Sequence, residues 1–179
     1  MPSALVINGS PRARGRSARV EKLLLGALKA KGVTDISVFR TCDTPVRGCI
    51  GCDYCEGAGE CVFSDEMGEL IGRLLSVGEV YVISPVYFSG PPSQLKAMLD
   101  RLQPLFYRRM RIKDAGEPLP DKRPMVLYVV GEGGDPHGFE PVVTCCKSAL
   151  SLADLRLQHV QSFIGPEAQP NTPEDLFVL

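Results

Sequence analysis

No apolar run in this chain is long enough to cross a bilayer. The longest, Val80 to Phe88, falls far short of the roughly 18 residues that a membrane helix needs, and Met1-Pro2-Ser3 carries no basic segment of the kind that opens a signal peptide. Neither sign of charge dominates: Lys and Arg number 20 against 21 Asp and Glu, for a net charge of -1. That balance argues against a nucleic-acid backbone as the main partner. Histidine is scarce too. His137 and His159 stand alone, with no Ser or Cys nucleophile at a recognisable elbow, so hydrolytic catalysis has no residues to carry it. Repeats and low-complexity tracts are absent. The 179 residues, 44% hydrophobic and 23% charged, suit one globular domain that folds without a disulfide or structural metal. A soluble, cytoplasmic protein is expected.

Cysteine is not scarce. The chain has seven, an odd number that, without a secretory signal, argues for reduced thiols with metal or redox roles rather than a disulfide framework. Four of them fall between Cys49 and Cys61, far denser than the chain average, and that clustering needs a cause. Cys145 and Cys146 lie in an expected helix, where adjacent residues point about 100° apart, so they do not easily share a site. At least one of the pair belongs to the core.

The rest of the chain alternates between two periodicities. Ala4 to Ile7 reads as a buried strand ended by Asn8-Gly9-Ser10-Pro11; from Ser17, a plausible N-cap, Val20, Leu23, Leu24, Ala27 and Leu28 recur at helical spacing up to Gly32. Asp35 to Thr41 is a second strand, Cys42 to Cys61 a long loop, and Met67 to Leu75 a helix capped by Ser64 or Asp65. Glu79 to Ser84 is a third strand, with a helix following Pro91-Pro92-Ser93. Phe106 to Arg123 reads as a long polar connection, Met125 to Val130 as strand four, Asp135 to about Asp154 as a helix, and Leu155 to Ile164 as strand five. This alternation predicts an α/β fold, a doubly wound five-stranded parallel sheet of order 2-1-3-4-5. Ligands bind such sheets beyond the carboxyl ends of the strands where the winding reverses, here between strands one and three.

Two loops meet that requirement. Gly9 to Ser17 joins strand one to a helix N-terminus and supplies Ser10, Ser17 and three arginines, Arg12, Arg14 and Arg16. Free N–H groups, helix dipole and guanidinium charge together make an anion site. It is not a nucleotide P-loop: five residues, not four, separate Gly9 from Gly15, and Arg16 stands where the lysine should be. A tyrosine-phosphatase loop is excluded because no Cys precedes position 42. In the facing loop, Pro85, Val86, Tyr87, Phe88 and Ser89 offer aromatic faces and backbone N–H groups that suit a flavin ring.

Three segments together resemble the NADPH-dependent FMN reductase and iron-sulfur flavoprotein group of the flavodoxin-like fold. They are Gly-Ser-Pro-Arg-x-x-Gly-x-Ser at positions 9 to 17, the cysteine run leading into Ser64-Asp65-Glu66-Met67, and Ser84-Pro85-Val86-Tyr87-Phe88 followed by Leu95-Lys96 and Asp100-Arg101. The resemblance runs from about residue 3 to 133. It implies FMN as cofactor, with its phosphate on Ser10, Arg12, Arg16 and Ser17 and its ring at Pro85 to Ser89 and Gly133, and NAD(P)H as co-substrate. Two departures stand out. Arg16 stands where many members carry Asn, and 166–179 is too short and proline-rich for the usual closing helix, leaving a domain of residues 1–165 with a C-terminal tail.

The run Cys49-x2-Cys52-x2-Cys55-x5-Cys61 is close to the pattern that binds a four-iron four-sulfur (4Fe-4S) cluster in the iron-sulfur flavoproteins, and short spacings in a glycine-containing loop let one segment wrap such a cluster. Zinc more often sits between two Cys-x-x-Cys knuckles on a longer spacer. Cluster ligands, structural or vestigial thiols, and zinc or a redox disulfide remain as readings of the run. The function expected is an FMN-dependent oxidoreductase passing electrons from NAD(P)H or a reduced carrier to a small acceptor such as a flavin or quinone. The alternatives are a one-electron iron-sulfur flavoprotein and a non-catalytic zinc or nucleotide-binding regulator. The missing closing helix should leave an apolar sheet face uncovered, which predicts a homodimer or larger homo-oligomer.

Overall fold

Five segments pair into one parallel sheet in the computed structural model, which describes residues 2–179. The strands β1 (Ser3–Asn8), β2 (Asp35–Arg40), β3 (Glu79–Pro85), β4 (Arg123–Gly131) and β5 (Leu155–Ile164) lie in the order β2-β1-β3-β4-β5. This is the topology that the alternation predicts. β3 sits at the centre, and its Val80, Tyr81, Val82 and Ile83 are all fully buried, as in a strand covered on both faces. The period of two sorts each strand between two cores. Leu5, Ile7, Val80, Val82, Leu127 and Val129 face one; Ala4, Val6, Tyr81, Ile83, Val126 and Tyr128 face the other.

The described residues also form six α-helices: α1 (Arg16–Ala30), α2 (Tyr54–Ala58), α3 (Met67–Ser76), α4 (Ser93–Asp100), α5 (Gln103–Asp114) and α6 (Glu140–Leu150). The first core takes Leu70 and Leu74 of α3, Leu95 and Met98 of α4, and Val142, Cys146 and Leu150 of α6. The second takes Val20, Leu24 and Leu28 of α1.

The other face is not left open, contrary to the expectation from sequence. In place of a closing helix, the tail 166–179 runs back as a strap with one 3-10 turn at Pro173–Asp175. Leu176 is buried in the second core, with Val178 and Leu179 packed beside it. The strap is tied down by polar bonds: the Tyr128 hydroxyl donates to Phe177 O, and the Leu179 N–H donates to the Tyr81 hydroxyl at 3.2 Å. An irregular strap has no hydrophobic period, so its burial leaves no pattern in the sequence.

Three further expectations are corrected. Phe106 to Arg123 is not a loop throughout, because α5 runs on to Asp114 and fills its first half. Only Pro104 and Leu105 of that helix are buried, and a helix so exposed carries no apolar stripe; Arg108 and Arg109 anchor it on Asp154, at 2.9 and 2.7 Å. α6 begins at Glu140 rather than Asp135, because residues 135–138 form a turn in which Asp135 Oδ1 accepts the His137 N–H at 2.9 Å and Gly138 adopts φ +65°. Ser17 does not cap α1. Gly15, at φ +130°, precedes the helix, and Ser17 lies buried inside its first turn.

Candidate functional site

β1 and β3 end side by side, and the loops that leave them bound one cleft. A cavity of about 290 Å³ is lined by Ser10, Arg12, Arg14, Gly15, Arg16 and Ser17 from the first loop, Pro85, Val86 and Tyr87 from the second, and Val130, Gly131 and Glu132 from the end of β4. A second cavity of about 270 Å³ shares Val86, Gly131 and Glu132 and continues past Phe88, Gly133 and Gly134 to Phe139 and Ile164. The cleft thus has a basic end at a helix N-terminus and a second end that no arginine lines.

At the basic end the backbone is prepared for an anion. The first intrahelical bond of α1 runs from the Arg19 N–H to Gly15 O at 3.0 Å, so the amides of residues 16 to 18 have no partner within the helix. Ser10 shapes the loop, its hydroxyl oxygen accepting the Arg12 N–H at 3.1 Å. Arg16 is partly committed elsewhere: Nη1 donates to Gly131 O at 3.0 Å and Nη2 to the carbonyls of Gly165 and Ala168, both at 2.5 Å. Its Nε is buried without a partner. An orphaned cationic donor lining a basic cavity fits a phosphate there.

The facing loop is a tight two-residue turn. Tyr87 and Gly90 exchange backbone bonds at 2.9 and 3.0 Å, with Phe88 and Ser89 between them at φ +50° and +62°. Asn and Gly usually fill those two positions, and left-handed conformations of larger residues cost on the order of 1 to 3 kcal/mol each. The turn holds because Ser89 is latched: its hydroxyl lies 3.0 Å from Asp135 Oδ1 and 2.8 Å from Gly138 O. Ser89 therefore faces the 135–138 turn and lines neither cavity, whereas Phe88 at the tip is 100% exposed. Bonds from the His137 N–H and Ser89 hold the Asp135 carboxyl below the usual carboxylate range.

The cysteine run builds a separate cavity. Cys49, Cys52, Cys55 and Cys61 all line a space of about 150 Å³ with Phe63, Arg101 and Tyr107. Between Cys52 and Cys61 the short α2 is set by left-handed residues at each end, Asp53 at φ +55° and Gly59 at φ +78°. Burial pushes the Cys55 thiol up, and the negative charge of Cys61, Cys49 and Cys52 adds to the shift. Among the described residues no three His, Cys, Asp or Glu side chains converge tightly enough to hold a single ion. A polynuclear cluster spanning the ring, or closure of the loop, would be needed to engage all four thiols. The donor set suits an iron-sulfur cluster, since four thiolates are what one requires. Cys146, by contrast, is fully buried with its thiol pushed up to about 12, while Cys145 is only half-buried.

Sequence reasoning missed the polar frame behind the first loop. Glu21, 5% exposed, accepts from Asn8 Nδ2 at 2.8 Å and from Arg40 Nη2 at 2.6 Å, and the Thr41 hydroxyl lies 3.3 Å from both Asn8 O and Ser10 O. The signal was there: Glu21 is a carboxylate on the otherwise apolar stripe of Val20, Leu24 and Leu28. Arg101 and Asp65 lie 36 residues apart, and no local pattern points to their pairing at 2.8 Å.

Known proteins resemble this chain in sequence and in fold. An iron-sulfur flavoprotein of Methanocaldococcus jannaschii is 32% identical over 99 residues, 55% of this chain and 51% of that protein. A second from the same organism is 28% identical over 137 residues, 76% of this chain and 64% of that one. The chain thus spans about half to two thirds of these relatives' own length. Among solved structures, a putative quinone reductase from Klebsiella pneumoniae superimposes with a TM-score of 0.67 at 14% identity, over 98% of this chain and 80% of that one. An azoreductase from Bacillus anthracis in complex with FMN gives 0.63 at 15% identity, over 95% of this chain and 90% of that one; both support the fold. Residues 2–151 match the NADPH-dependent FMN reductase family, and the chain belongs to that family.

Proposed function

We propose that the protein is an FMN-dependent oxidoreductase that passes electrons from NAD(P)H or a reduced carrier to a small acceptor such as a flavin or quinone. One observation carries the reading: the loops after β1 and β3 open into a single cleft with an anion-binding end and a second end beside an aromatic turn. Ser10, Arg12, Arg16 and Ser17 would hold the phosphate, and Pro85 to Phe88 with Gly133 would flank the ring, with Ser89 fixing the turn from behind. Bound FMN supplies two-electron chemistry, and the chain's own part is to orient it and leave one side reachable. No separate acid or base is required. A visible spectrum of the purified protein tests this, with Arg12→Ala as control. Losing bonds to a charged group worth roughly 1.5 to 3 kcal/mol each should weaken FMN ten- to over a hundredfold, and unchanged retention would overturn the assignment.

The four thiols around one cavity favour a second reading on the same fold, in which the chain also carries a 4Fe-4S cluster on Cys49, Cys52, Cys55 and Cys61 and hands on single electrons. The names of the M. jannaschii relatives support it. Among the described residues no helix is long and apolar enough to cross a membrane, and seven free thiols suit a reducing, cytoplasmic compartment. We also propose a homodimer or larger homo-oligomer. With the sheet face covered by the tail, the support is now the exposed Phe88, Phe106 and Met110. Sedimentation as a 19.4 kDa monomer at micromolar concentration would overturn it.

A further inference from the structure

Arg101 follows α4 directly and is 1% exposed, yet it lines the cavity ringed by the four cysteines. Most of its guanidinium is spoken for. Nη1 and Nη2 grip the Asp65 carboxylate at 2.9 and 2.8 Å, Nη1 also reaches Arg47 O at 3.0 Å, and the Phe63 ring lies 4.9 Å from the central carbon. Nε is different: it is buried with no hydrogen-bond partner. Buried charged donors are rarely left unpaired. Asp65 cannot take a third bond from it without giving up the fork, and the four cysteine sulfurs line the cavity that Arg101 borders, beside Asp53, Gln103 and Tyr107.

Resting on the reading that the cavity holds a 4Fe-4S cluster, we propose that Arg101 is a positioning residue that sets the potential of that cluster. Its Nε–H is the donor held for the sulfur ligands on the Cys61 side, and its guanidinium charge favours the more negative, reduced state. Hydrogen bonds to the sulfurs and nearby charge are among the means by which a protein moves such a potential. Reduction adds one electron and one negative charge, and Arg101 transfers nothing. Asp65 keeps the guanidinium in place and partly offsets its charge, so the directed N–H bond carries the effect.

The experiment uses the full chain, purified anaerobically and reconstituted with iron and sulfide. Arg101→Lys keeps a cation for Asp65 but removes the fixed Nε–H, since a single ammonium on a flexible stem replaces the planar guanidinium. Arg101→Gln combined with Asp65→Asn removes both charges together, so that no unpaired carboxylate is left if the first variant folds poorly. Iron content, midpoint potential and thermal melting are read for each. Both variants should hold iron, with the midpoint displaced to more negative values. A tenfold change in the ratio of oxidised to reduced cluster corresponds to about 59 mV for one electron. Variants that keep iron with an unmoved midpoint would overturn the inference and leave the cluster reading intact; a purely structural Arg101 would lower the melting temperature alone. Folded variants that lose iron would also overturn it, since the residue would then serve assembly. A wild-type protein that takes up no iron overturns both.

Discussion

Asn8 and Glu21 share a buried hydrogen bond, Asn8 Nδ2 to Glu21 Oε2 at 2.8 Å, and it decides which way the Asn8 amide faces. With Nδ2 committed to the carboxylate, Oδ1 is turned to accept the Ser10 N–H at 3.1 Å, which fixes the start of the anion loop. Arg40 balances the charge from the other side at 2.6 Å. The first prediction is therefore that Glu21→Gln folds but binds FMN about tenfold more weakly, the equivalent of about 1.4 kcal/mol. An amide can donate as well as accept, and it no longer dictates the Asn8 orientation or holds Arg40. Titration of the apoprotein by flavin fluorescence checks this; equal affinity would show that the frame does not set the loop.

The second prediction concerns the latch between Ser89 and Asp135. Because the Asp135 carboxyl sits below its ordinary value of 3.8, the contribution of the ionised form is present above that value and fades as pH falls through the lowered one. The turn should stay latched at neutral pH, and FMN retention should fall only below about pH 4. Asp135→Asn should retain FMN less well at neutral pH and lose the part of the acid dependence that belongs to this group. Equilibrium dialysis across pH on both proteins distinguishes the outcomes, and coincident curves would sink the latch.

The tail provides the third. Leu176 is 7% exposed and closes the second core beside α1, so Leu176→Ala should cost about 2 kcal/mol. For a chain of this size that corresponds to a fall in Tm of roughly 4 to 8 °C. Phe177→Ala, whose side chain is half out in solvent, should cost less. A melting curve unchanged by the first substitution would mean that the strap is not part of the folded core.

These tests also mark how far the sequence could be read. β1 and β3 were legible because Ala4 to Ile7 and Val80 to Ile83 are buried on both faces and form unbroken apolar runs, and α1 because its apolar side recurs at helical spacing. The two loops at the cleft were legible because their residue types have few other uses. What escaped detection depends on partners far apart in the chain. Arg108 and Arg109 settle on Asp154, which is 4% exposed at its side chain, and that contact turned an apparent polar loop into α5. Ser89 looked like a ligand contact because it lies in the right segment, but its hydroxyl is claimed by Asp135 and Gly138, some 46 and 49 residues further on. Local pattern does not report such pairings.

The fourth prediction separates the two readings of the cysteine run. If Cys49, Cys52, Cys55 and Cys61 are all ligands, protein purified without oxygen should contain about four iron and four sulfide per chain and show broad absorption beneath the flavin bands. Alanine at any of the four should abolish the cluster, because only these thiols surround the one cavity. Cys145→Ala should not, since Cys145 lines a different groove between α4, α5 and α6. Alkylation gives an independent measure. In the iron-free protein the exposed Cys49 and Cys52 should react first, and Cys146 last, because its thiol is fully buried and pushed up to about 12. Loading with iron should then protect the first two while leaving the slow Cys146 rate unchanged. Anaerobic protein made with ample iron that still holds FMN alone, with all four thiols freely alkylated, would leave the run without a metal role and return the chain to the plain flavin reductase reading.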